Sequence, residues 1–123
     1  MTDQPLAGAL LAADIAESKK GERVVVLDMR EVTLIADYFV IVTALNLIQS
    51  ESIADAVREA LAARGMNRLN QASGSRSHWV LMDFGSVVVH IFTEDERSYY
   101  NLERLWGDAG VVDRESIKVS KGS

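Results

Sequence analysis

The side chains from which this chain could build chemistry are two histidines, eighteen carboxylates and a late cluster of aromatic residues. There is no cysteine, so thiolate metal sites, disulfides and a cysteine nucleophile are excluded. Asp83-Phe84-Gly85 spells the metal-binding tripeptide of protein kinases. The kinase reading fails, because a glycine-rich loop and a His-Arg-Asp catalytic loop are missing and the chain is too short. A tight turn explains the tripeptide better. A nucleotidyltransferase would hold magnesium with paired carboxylates at Asp-x-Asp spacing, and the sequence contains none. It also lacks a P-loop, a Gly-x-Gly-x-x-Gly fingerprint and a nucleophile elbow. His78 and His90 fall on opposite faces of the hairpin described below and so do not share a metal. His90 reads as a core or interface histidine rather than a catalytic one.

What remains is aromatic. Tyr99, Tyr100, Asn101, Leu102, Leu105 and Trp106 crowd one short stretch. Two adjacent tyrosines on a helix point about 100° apart, so one core cannot bury both fully. Rings at the rim of a sheet are common anchors of protein interfaces. Binding surface and core are equally good readings of Tyr99, Tyr100 and Trp106 taken together.

The elements that position these residues centre on residues 78–108. Two β-rich runs meet at Asp83-Phe84-Gly85-Ser86. Gly85 can take the positive φ of a tight hairpin, and the Asp83 carboxylate can bond the turn backbone. A loop centred on Phe84-Gly85 places Trp79 across from His90 and Leu81 across from Val88 on one face. Val80 and Met82 then lie across from Val89 and Val87 on the other. Both faces are apolar, which predicts a hairpin inside a sheet covered on both sides. Thr93-Glu94-Asp95-Glu96 reads as a capping box for a helix that carries Tyr99, Leu102, Glu103 and Trp106 on one side and ends at Gly107.

Earlier in the chain a first helix is predicted from Pro5, with Asp3 or Thr2 near its cap. Leu6, Leu10, Leu11, Ala13 and Ile15 form its apolar stripe, and Lys19-Lys20-Gly21 is its stop signal. Residues 23–29 read as an interior strand and residues 38–43 as a strand apolar on both faces. A second helix follows Asn46 as N-cap, with Gln49 three residues on. Ser50, Ile53, Ala54, Val57, Ala60 and Leu61 face inward; Glu51, Asp55, Arg58 and Glu59 face water; Arg64-Gly65 closes it. Leu45, Leu47 and Ile48 at its entry read as a hydrophobic staple or core contact in preference to a docking patch. Residues 66–71 suggest a weaker, polar edge strand. The expected fold is α/β (α+β), a mixed sheet of about five strands flanked by helices. One domain is expected over residues 1–107. Residues 108–123 form a partly mobile tail in which Val111-Val112 can dock.

The bulk properties fit an ordinary globular domain of 123 residues with 48% hydrophobic and 25% charged residues. A net charge of -5 disfavours nucleic acid as the main partner and suits a basic protein. No secretion signal is read at the start, and no stretch approaches the roughly 20 apolar residues of a membrane span.

Four blocks carry a family resemblance. They are residues 36–43 (Ala-Asp-Tyr-Phe-Val-Ile-Val-Thr), residues 53–57, the hairpin from Trp79 to Phe92, and the run from Tyr99 to Trp106. In order and spacing they resemble the Iojap-related ribosomal silencing factors, over about residues 6–106. The resemblance implies a nucleotidyltransferase-like fold without its catalytic carboxylates, no enzymatic activity, no cofactor and no metal. It implies binding to the large ribosomal subunit through its fourteenth protein, at the inter-subunit face, which blocks joining of the small subunit and represses translation. It also implies homodimers of the isolated protein, a cytoplasmic location, no direct membrane contact and little contact with nucleic acid. Matched block by block, the implied partner-binding residues are Trp79, Leu81, Asp83, Phe84, Tyr99, Tyr100, Asn101, Leu102 and Trp106. The chain departs from the family pattern at Thr43-Ala44-Leu45-Asn46, where a Thr-Gly run is usual, at Phe84-Gly85-Ser86, and in lacking the Glu-Gly before the tryptophan. The competing readings are a nucleotide-binding enzyme of nucleotidyltransferase type, using Asp28, Asp37 or His90, and a dimeric scaffold whose seam is the aromatic helix.

Overall fold

The computed structural model describes residues 4–34, 36–66, 70–71, 79–93 and 110–112. Two helices, α1 (Gln4–Ser18) and α2 (Leu47–Ala63), accompany six strands: β1 (Glu22–Asp28), β2 (Tyr38–Ala44), β3 (Asn70–Gln71), β4 (Trp79–Asp83), β5 (Val87–Thr93) and β6 (Gly110–Val111). The strands form one sheet in the order β3-β4-β5-β2-β1-β6. Its central pair, β2 and β5, is parallel, with Tyr38 beside Val87 and Ala44 beside Thr93. All other neighbours are antiparallel, so the sheet is mixed, as expected. The sixth strand comes from the predicted tail: Val111 pairs with Leu27, and the Val112 amide donates to Val26 O at 2.8 Å.

Every residue of β2 and β5 is buried, which is what their unbroken apolar runs require. The period of two then divides them between two cores. Val40, Val42, Val80, Met82, Val87, Val89 and Ile91 face the helices, with Ala9, Ala12, Ala13, Ile53, Val57 and Leu61 packed on them. Leu27, Met29, Phe39, Ile41, Val88 and Phe92 form a second cluster on the opposite face, joined by Ala36 and half-buried Leu81. β1 is less interior than its sequence suggests. Its first residues are exposed, and its register slips between Glu22 and Val25, where Arg23 takes φ +48°. Beyond Leu27 and Asp28, β6 offers it no paired residues.

The face of α1 differs from the predicted stripe. Its buried residues are Gly8, Ala9, Ala12, Ala13 and Ala16, while Leu6, Leu10, Leu11 and Ile15 are only half-buried. Size decided this rather than hydropathy. Small side chains let the helix backbone approach the sheet and α2, and the larger ones close the flanks of the seam. A Cβ on Gly8 would lie 2.6 Å from Met66 Sδ. The helix ends in a Schellman motif: the Lys20 amide donates to Glu17 O at 3.0 Å and the Gly21 amide to Ala16 O at 2.8 Å. Lys20, not the glycine, takes the left-handed conformation, at φ +71°. Gly21 is needed for space, because a Cβ there would sit 2.8 Å from both Ala16 O and Val42 Cγ1.

α2 follows its sequence signals closely. The Asn46 side chain accepts the Gln49 amide at 2.8 Å, and Ser50, Ile53, Val57 and Leu61 are buried. Gly65 follows the C-cap at φ +84°. Gln49 does more than the expected capping contact. Its Oε1 accepts the Leu45 amide, and its Nε2 donates to the carbonyls of Lys19 and Lys20, fastening the start of α2 to the end of α1. The staple at this entry is absent. Leu45 is 61% exposed and Ile48 80% exposed. A staple pairs the residue before the N-cap with the fourth helical residue, and that residue is Ser50, which offers Leu45 no apolar surface.

Candidate docking surface

The hairpin between β4 and β5 is built as its turn residues require. Gly85 has φ +89°, and its amide donates to Asp83 Oδ1 at 2.7 Å. The Phe84 amide donates to Val87 O at 2.9 Å, so the two-residue loop is Gly85-Ser86. Glycine at its first position, with Ser86 outside the positive-φ region, is the arrangement of a type II′ turn. The loop is therefore centred one residue later than Phe84-Gly85. Trp79 pairs with Phe92, Leu81 with His90 and Met82 with Val89, not with His90, Val88 and Val87. The correction moves each partner by two residues, so every side chain keeps its predicted face.

Of the predicted partner-binding residues, Leu81 and Asp83 are half-buried and lie on the face of the second cluster. Trp79 is the first residue of β4. Phe84 is corrected: it is 6% exposed and packs into the helix-facing core, so its ring anchors the turn and is not presented to a partner. Tyr99, Tyr100, Asn101, Leu102 and Trp106, together with the predicted capping box beyond Thr93, lie outside the described residues. Thr93 itself ends β5 and is buried.

His90 is enclosed by rings. Its centroid is 4.7 Å from that of Phe39 and 6.1 Å from that of Phe92, with the latter ring almost parallel. Burial disfavours the imidazolium and lowers its pKa from 6.5 to about 4, so the side chain is neutral at pH 7. Trp79, expected opposite it, pairs two residues further along β5, with Phe92.

The strand register gathers carboxylates at one end of the sheet. Asp28 closes β1 opposite Tyr38, Asp83 closes β4 opposite Val88, and Asp37 directly precedes β2. Asp28 is neutralised by a two-pronged pair with Arg30, at 2.9 and 2.7 Å, and these hydrogen bonds hold its pKa below the usual carboxylate value. The Arg30 guanidinium lies 5.4 Å above the Tyr38 ring. The turn and the loop that precedes β2 are stitched together, because Ser86 O accepts the amides of both Asp37 and Tyr38, at 2.8 and 3.0 Å. At the opposite end of β2 stand Lys19, Lys20, Leu45 and Ile48, all exposed. Among the described residues no group of three or more His, Asp or Glu side chains is placed to hold a metal ion. Nor is any described helix long and apolar enough to cross a membrane.

The described α+β sheet carries its two helices on one face and has an acidic, partly apolar end built from turns. Comparison with known proteins identifies its family. A family model described as "Ribosomal silencing factor during starvation" matches residues 2–123. The chain is 41% identical over 107 residues to the ribosomal silencing factor RsfS of Halalkalibacterium halodurans, covering 87% of this chain and 92% of that protein. It is also 41% identical over 103 residues to the protein of the same name from Bacillus subtilis, covering 84% and 87%. A crystal structure of a protein from Chromobacterium violaceum superposes with a TM-score of 0.80 at 30% identity, covering 87% of this chain and 88% of the other. The chain belongs to the RsfS family of ribosomal silencing factors.

Proposed function

We propose that this protein represses translation by binding the large ribosomal subunit through a basic protein of its inter-subunit face, the fourteenth large-subunit protein, and thereby blocking the small subunit from joining. It acts by occupying a surface and carries out no catalysis, and its place of action is the cytoplasm. Family membership across residues 2–123 carries the reading. The described structure supports it with an acidic sheet end, half-exposed Leu81 and Asp83, and a net charge of -5 suited to a basic protein. Trp79, Leu81 and Asp83 are the proposed contacts from the hairpin; Tyr99, Tyr100, Asn101, Leu102 and Trp106 complete the surface. The isolated protein is expected to form homodimers, which analytical ultracentrifugation measures directly.

Gradient sedimentation with purified subunits tests the proposal. The protein should comigrate with the large subunit and lower the fraction of joined ribosomes when small subunits are added. Protein that stays at the top of the gradient would remove the ribosomal reading. Protein that comigrates without reducing joining would keep the partner and remove occlusion.

A further inference from the structure

Between Met29 and Ala36 the chain leaves the second core and returns to it, and both of those residues are buried. The connection is fastened at each end. The Met29 amide donates to Asp37 O at 2.8 Å, Met29 O accepts the amides of Val32 and Thr33 at 3.0 Å each, and Ser86 O holds Asp37 and Tyr38. On this tied loop Leu34 is fully exposed, and Val32 is exposed beside it. Single exposed apolar residues are common on protein surfaces. Here two occur on a connection of a few residues whose backbone is held by hydrogen bonds, next to the hairpin turn.

Among the described residues of this connection, the charges left without an ion pair are acidic. Arg30 is engaged with Asp28, whereas Glu31 and Asp37 have no ion pair among the described residues. Asp83 lies across the Ser86 junction. A leucine set among uncompensated acids repels phosphate backbones, and it repels the same acidic loop of a second copy. It fits a basic protein surface that offers an apolar socket.

We infer that the connection carrying Glu31, Leu34 and Asp37 is a docking site in which Leu34 enters an apolar socket on a basic protein, while Glu31 and Asp37 meet that protein's cations. The inference rests on the ribosomal reading above, in which that protein sits on the large subunit, and it adds a loop that the predicted contact residues did not include. Because the backbone at Val32, Thr33 and Asp37 is already held by hydrogen bonds, less ordering entropy opposes association.

The test compares wild-type protein, Leu34→Ser and Glu31→Lys for binding to purified large subunits by sedimentation over a concentration series. Thermal unfolding serves as the folding control, since both side chains are exposed. Leu34→Ser should weaken binding roughly tenfold or more, as loss of a buried anchor does. Glu31→Lys should weaken it and flatten its dependence on salt. If the wild type binds and both variants bind equally well, the docking loop is overturned and the ribosomal reading stands. If the wild type does not bind, that reading falls and the loop inference falls with it. If Leu34→Ser instead converts a dimer to monomers in the ultracentrifuge at unchanged subunit affinity, the occupant is a second copy and the inference is overturned.

Discussion

Acid should destabilise this fold through His90 before the carboxylates contribute. The buried imidazole has its pKa lowered from 6.5 to about 4, because the second core cannot hydrate the charged form. A folded-state pKa below the unfolded value means that the unfolded chain binds the extra proton first. The contribution is therefore fully present above about pH 6.5, shrinks as pH falls, and levels off below about pH 4. At pH 5 nearly all unfolded chains but only about a tenth of folded ones carry the proton, a penalty of about 2 kcal/mol. The full loss at the plateau is about 3 kcal/mol.

Urea unfolding at pH 7 and pH 5, on the wild type and on His90→Gln, isolates the effect. Groups that titrate in both proteins cancel in the comparison, and the readout is the change with pH rather than the absolute stability of the variant. The wild type should lose about 2 kcal/mol more than His90→Gln between the two pH values. Asp28 belongs to a separate window. Its pKa is lowered by hydrogen bonds from Arg30, so its contribution is present above about 3.8 and is lost as pH falls through the lower folded value. Equal losses in wild type and variant between pH 7 and 5 would refute the argument, and with it the claim that the second core holds a neutral imidazole.

Four further changes test the packing. Ser50→Ala should stabilise the protein by about 1 kcal/mol in urea unfolding, because the buried hydroxyl has no hydrogen-bond partner among the described residues and alanine is the better helix former; a loss of stability would show that the hydroxyl is satisfied. Lys20→Gly should raise stability by roughly 0.5–1 kcal/mol by relieving the left-handed residue at the end of α1, measured by the shift in thermal midpoint. Gly21→Ala, one residue on, should cost about 1–3 kcal/mol in the same assay, since its Cβ meets backbone at 2.8 Å. Ile48→Glu should cost nothing and add about 0.5 kcal/mol, because the side chain is exposed and the first turn of α2 has no acidic residue to meet the helix dipole; a large loss would restore the staple that Ser50 argues against.

Periodicity and turn chemistry made most of the frame legible. Asn46, Gln49 and Arg64-Gly65 bounded α2 because caps are local chemistry. Gly85 and Asp83 marked the hairpin for the same reason, and a mistaken turn centre cost only the partners, since a two-residue change preserves the faces. The α1 face was misread because hydropathy ranks leucine above alanine, whereas close approach of two helices and a sheet selects for small volume. Phe84 entered the implied contacts by block matching, which does not reveal that its ring packs into the helix-facing core. Val32 and Leu34, in the short link between β1 and β2, are a signal readable in the sequence, because loop residues that touch no core are usually polar.

The placement of the described charges bears on the proposed docking and on the competing nucleotide site. In open sheets with parallel strands, ligand sites form outside the carboxyl ends of those strands, where loops and helix N-termini converge. Here the parallel pair β2 and β5 has its carboxyl ends at Ala44 and Thr93, and the helix N-terminus there is already capped by Asn46. The described residues beside it include exposed Leu45, Ile48, Lys19 and Lys20, with Glu22 opposite Thr43. The acids Asp28, Asp37 and Asp83 stand at the amino ends of the same strands, one of them already paired with arginine. On that end the acids flank an exposed leucine and a rigid turn, an arrangement suited to meeting a basic protein across a surface.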